Sequence, residues 1–161
     1  MPLTGPSSRR MLYSNLLALH GALRWVALAA GVMALVTAAS GWSGTKPADG
    51  RLRRWSLLFV IGMDLQLLVG LVLYFAVSPL VKMAFQNMAV AMKDHELRFF
   101  TVEHTTYMLV AVVLTHLGAA LSRKRKTDRA KYRSAAICYA ISLLLILGGI
   151  PWWRPLLRLG G

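Results

Sequence analysis

Six ionisable side chains stand inside long apolar runs of this 161-residue sequence: His20, Arg24, Asp64, Glu103, His104 and His116. A group that can carry charge is costly in hydrocarbon, so each is a candidate for chemistry. Measured at about 1.5 Å per residue, His20 lies about 30 Å above Ser40, and His104 lies roughly 27 Å above Ser122. Two imidazoles at one level on separate helices are what a haem b with two axial histidines requires. Neutral imidazole nitrogen ligates iron well, and apolar helices supply the pocket. Arg24, one turn below His20 on the same face, is placed to meet a haem propionate or to pair with Glu103. A structural reading stands beside this one. A histidine near the interface can bond to a backbone carbonyl or to Glu103, and Arg24 can snorkel.

His116 belongs to a different level. Twelve residues beyond His104, it is turned by about 120° around the helix and lies some 18 Å deeper. No other helix carries a histidine at that depth, which argues against a second bis-histidine haem. Asp64, about 13 Å above Trp55, is level with His116, about 9 Å above Ser122. The two are expected to form a buried inner pair with Gln66 nearby. It serves either a quinone or proton site or a structural hydrogen bond between helices. His95 falls among charges and is expected to be solvated.

These residues need four helices to hold them. Apolar runs cover about 11–40, 55–77, 99–121 and 134–153, each long enough for a hydrocarbon core that takes about 20 helical residues. Ser78-Pro79 stops the second run, and Pro151 and Pro155 close the fourth. None of the runs alternates polar and apolar residues, which excludes a β-barrel. With 57% hydrophobic residues, the fold class is an all-α integral membrane four-helix bundle, a single transmembrane domain over 1–161. Ser8-Arg9-Arg10 resembles a twin-arginine signal. The run behind it is far longer than a signal h-region of about 7–15 residues, so it reads as a retained helix.

Between the second and third runs, Val81, Ala84, Phe85, Met88 and Met92 recur at helical spacing over 80–96. They predict a short amphipathic outer helix, with the methionines packing rather than binding copper. Basic residues cluster in the first loop (Lys46, Arg51, Arg53, Arg54) and from Arg123 to Arg133 in the third. By the positive-inside rule these loops are cytoplasmic, and both termini face outward. The formal net charge of +13 therefore points to lipid headgroups of the bilayer, not to nucleic acid. Cys138, the single cysteine, excludes an intrachain disulfide. Phosphate-binding glycine loops, CxxC and HExxH are absent, and no span is broken at mid-membrane by Gly-Pro, as transporters often require.

Four phrases carry a family resemblance: His20-Gly21-Ala22-Leu23-Arg24-Trp25, Ser40-Gly41-Trp42, Arg98-Phe99-Phe100-Thr101-Val102-Glu103-His104 and Gly149-Ile150-Pro151-Trp152. From about Leu16 to Trp153 the chain resembles small four-helix bacterial membrane proteins described as cytochrome b or cytochrome b561-like. The resemblance implies a haem-b electron carrier of a respiratory or photosynthetic membrane, with His20 and His104 at the matching positions. The chain departs from the two-haem b561 pattern, since only its outer side has a histidine pair. One haem is the most it could hold. The expectation is an electron-transfer subunit of a bacterial cytoplasmic membrane, quinone-linked or serving an outer redox protein, rather than a free-standing enzyme. The alternative is a haem-free accessory subunit packed against partner membrane subunits of a larger energy-converting complex.

Overall fold

The computed structural model describes residues 6–154. Helix α1 (Pro6–Ser40) is followed by α2 (Gly50–Val72), which runs on as a π-helical segment, Leu73–Val77. Three short helices, α3 (Pro79–Gln86), α4 (Met88–Ala91) and α5 (His95–Arg98), cross one end of the molecule. A second π-helical segment (Phe99–Glu103) leads into α6 (His104–Lys124), and α7 (Asp128–Gly149) completes the set. Four helical stretches are long and apolar enough to cross a membrane: Ser8–Ser40, Gly50–Val77, His95–Lys124 and Asp128–Gly149. The protein is a multi-pass membrane four-helix bundle.

The helices start earlier than hydropathy alone places them, because caps rather than apolarity set a helix start. Asp49 accepts hydrogen bonds from the backbone N–H of Arg51 and Leu52 (3.0 and 3.3 Å), so α2 begins at Gly50 and not near 55. Thr127 accepts from Ala130 N–H at 3.2 Å and starts α7 at Asp128 instead of 134. The basic residues of both first turns thus belong to the helices and reach toward headgroups. At the other end α7 stops at Gly149, not 153. Ile150 is extended (φ −77°, ψ 127°), as a residue before proline prefers. Pro155 lies outside the described residues.

The predicted amphipathic helix is divided. Asn87 leaves helical geometry (φ −149°, ψ 88°) and caps a new turn through its side chain, accepting from Val90 N–H at 3.1 Å. The break changes the buried stripe: Val81, Ala84 and Ala91 are buried, while Phe85 and Met88 are exposed.

Each of α1–α2, α2–α6, α6–α7 and α7–α1 packs side by side, so α1 lies diagonally opposite α6. Short connections after α1 and α6 make those neighbours antiparallel. On α1 small residues turn inward and large ones outward, while Phe59 of α2 and Tyr139 of α7 fill the core. On α1, Ala27, Ala30, Ala34 and Ala38 are buried, whereas Val26, Val32, Met33 and Val36 are exposed. That is the arrangement of helices whose outer solvent is lipid, where close backbone approach replaces hydrophobic burial as the cohesive force. A Cβ placed on Gly62 would sit 3.1 Å from Ala27 Cα, which shows how near α2 comes to α1. Between α6 and α7, the buried hydroxyls of Thr115 and Ser142 lie 2.8 Å apart, and both donate to the Ala111 carbonyl at 2.9 Å.

Candidate functional site

The cavity at one end of the bundle is built from both π-helical segments, α1, and the turn after α7. A π turn inserts an extra residue into a helix and so re-aims the side chains beyond it, which is why such turns recur at functional sites. The N–H of Ser78 donates to Leu73 O at 2.8 Å, and that of His104 donates to Phe99 O. Both are five-residue closures. Tyr74 ties the two segments together by donating its hydroxyl to the Thr101 carbonyl at 3.0 Å.

His20 and His104 meet here across the diagonal of the bundle. Their ring centres are 6.3 Å apart and the planes are inclined at 67°. His104, the first residue of α6, has Nδ1 2.7 Å from the Gly149 carbonyl. A carbonyl can only accept, so Nδ1 carries the proton and Nε2 is left with the lone pair in the neutral ring. Phe99 and Phe100 flank this imidazole, with ring centres at 6.0 and 6.3 Å. The turn of α1 bearing His20 is held by Gln66, whose Nε2 donates to the His20 carbonyl at 3.0 Å. His20 Nδ1 is buried without a hydrogen-bond partner among the described residues. A side chain at Gly70 would begin to crowd this ring, with a Cβ 3.4 Å from Cε1.

The cavity these rings share has a volume of about 440 Å³ and is lined mainly by apolar groups, among them Met108, Leu109, Val112 and Ile150. Arg24 lines it too, with its guanidinium 5.5 Å from the Trp25 ring centre. Arg154 also lines it, held to Glu96 by two contacts of 2.9 and 3.2 Å and lying 4.5 Å above the Phe100 ring. Glu103 does not pair with Arg24 as one reading of the sequence has it. It takes Arg98 Nε at 2.7 Å, five residues back across the π turn.

The residues present fit a haem. Two axial imidazoles at about 2 Å from one metal put their ligating nitrogens roughly 4 Å apart, and their ring centres about 6 Å apart. Among the described residues no three His, Cys, Asp or Glu side chains gather as a metal site.

Asp64 and His116 also come together: Asp64 Oδ1 accepts from His116 Nε2–H at 2.8 Å. The expectation of a buried pair is wrong. The side chains are 44% and 49% exposed, because α2 and α6 are neighbours and the two residues lean over the outer seam between them. Gln66 is not beside this pair. Two residues on from Asp64 is about 200° around a helix, which turns Gln66 inward to α1. His95 is exposed, but it packs its ring on Trp153 at 4.8 Å and on Phe99 at 6.3 Å. Sequence reasoning missed the Gly149 carbonyl, Tyr74 and Arg154. The arginine was findable, since it follows the last span at the end bearing both histidines.

Fold and site together define a membrane bundle with a paired-imidazole cavity. Compared with protein-family models, with curated proteins and with solved structures, the chain matches none.

Proposed function

We propose that this chain is a one-haem b-type cytochrome of a bacterial cytoplasmic membrane, with His20 and His104 as axial ligands. The observation that carries the reading is the 6.3 Å separation of two imidazoles from diagonal helices, over an apolar cavity. Bound there, haem iron would supply reversible one-electron transfer. The chain's own residues do the rest. The Nδ1–H of His104 on Gly149 O fixes that ring's orientation and raises the basicity of Nε2, the usual outer support of a ligating histidine. Gln66 steadies the backbone of His20. Arg24 and Arg154 bring positive charge to the cavity wall, where propionate carboxylates would be held. The aliphatic and aromatic lining excludes water. Loop charge supports a sidedness in which the histidine end faces away from the cytoplasm.

Purified protein, expressed with ample haem, is expected to show a reduced-minus-oxidised α-band. His20→Ala or His104→Ala is expected to abolish the band, and His116→Ala to leave it. A colourless wild-type protein that co-purifies with a large membrane complex would replace this reading by that of an accessory subunit.

A further inference from the structure

The seam between α2 and α6 carries a feature that electron transfer at the histidine end does not use. Asp64 and His116 form a 2.8 Å hydrogen bond, yet both side chains are nearly half exposed. By helix rise, Asp64 is about 13 Å beyond Trp55, and His116 is about 9 Å short of Ser122, so both are inside the hydrocarbon layer. Exposure there means contact with lipid chains, where an unsatisfied polar atom costs several kcal/mol. The bond between them uses Oδ1 and Nε2. Asp64 Oδ2 and His116 Nδ1 are left for another molecule: two acceptors when the imidazole is neutral, an acceptor and a donor when it is protonated.

We propose that this seam binds the head of a lipid-soluble quinol or quinone. A quinol hydroxyl donates to the carboxylate oxygen or the neutral ring nitrogen, and a quinone carbonyl accepts from the protonated one. Such a molecule reaches the seam sideways through the bilayer and needs no channel. The surroundings favour a flat ring over a partner helix. Around the pair, Ile61, Leu65, Leu68, Val113 and Leu117 face outward, all branched and exposed. The small residues that let membrane helices approach closely are spent inside, Gly62 against Ala27 and Gly118 against Tyr139. The site needs only α2 and α6, so it stands or falls separately from haem binding.

The test uses the full chain in lipid nanodiscs with a photoreactive azidoquinone, competed by a short-chain ubiquinone. Competed labelling of α2 or α6 peptides is expected. It should fall about tenfold or more in the Asp64→Leu/His116→Leu variant, as loss of a hydrogen bond to a charged group implies. The melting temperature without quinone is expected to hold in that variant, since leucines suit a lipid-facing seam. Should it not fold, Asp64→Val/His116→Phe, which removes the same polar atoms with differently shaped apolar side chains, is expected to show the same loss of labelling. Labelling unchanged by these substitutions, or confined to other helices, overturns the proposal. So does a wild-type dimer that the double variant converts to monomer, which would make the seam a contact between copies.

Discussion

A single carbonyl oxygen decides how His104 presents itself. Because Gly149 O accepts from Nδ1–H, the ring cannot turn without breaking a 2.7 Å hydrogen bond in a site lined mainly by apolar groups. Nothing comparable holds the ring of His20, whose support is on its backbone. The two imidazoles are therefore unequal partners, one pinned and one adjustable. A second buried polar group is more fully bonded. Thr115 and Ser142 share three short contacts with the Ala111 carbonyl and each other, but only two hydroxyl hydrogens serve them. Ser142→Ala is expected to cost about 0.5–1.5 kcal/mol, the range of interhelical hydrogen bonds in membranes. It would be measured as a lowered melting temperature in detergent. At this scale the sequence was legible where residue type and depth were enough, as for His20 and His104. It was silent about Gly149, since a backbone acceptor has no identity in the letters. It brought Asp64 and His116 together correctly but misled on their burial, because level depth says nothing about which side of a seam two side chains choose.

Among the elements, the α1–α2 pair holds the His20 side of the site. His20 is on one member, Gln66 and Gly70 are on the other, and Gly62 lets the backbones meet. Gly62→Leu is expected to push these helices apart at a cost of about 1–3 kcal/mol, as overpacking does. Heat-stability of the purified protein would read that loss, and Gly62→Ala should fall between. The spans themselves were legible because a hydrocarbon layer demands long apolar runs. Their ends were less so, since Asp49, Thr127 and Ser78 set helix starts by capping, outside the apolar stretch. The two π segments carried no sequence signal. They depend on how the segment from Pro79 to Arg98 must cross the end of the bundle, which is a tertiary matter.

For the whole molecule, the proposed sidedness rests on the charge asymmetry of its loops. In a Cys138→Ala background, a membrane-impermeant maleimide is expected to label Lys126→Cys only in inverted vesicles and Lys93→Cys only in intact spheroplasts. The reverse pattern would turn the bundle over. The closing turn over the cavity has a further bearing on how the protein is made. Gly149, Ile150 and Arg154 contribute the acceptor for His104, part of the cavity wall and the bond to Glu96. Of the described chain, this stretch leaves the ribosome last. Helices α1, α2 and α6 thus precede the last stretch of the cavity wall, which follows only once translation has passed the final span. A haem bound as proposed would have its widest entrance during biogenesis, so its loading would be a matter of timing as well as of affinity.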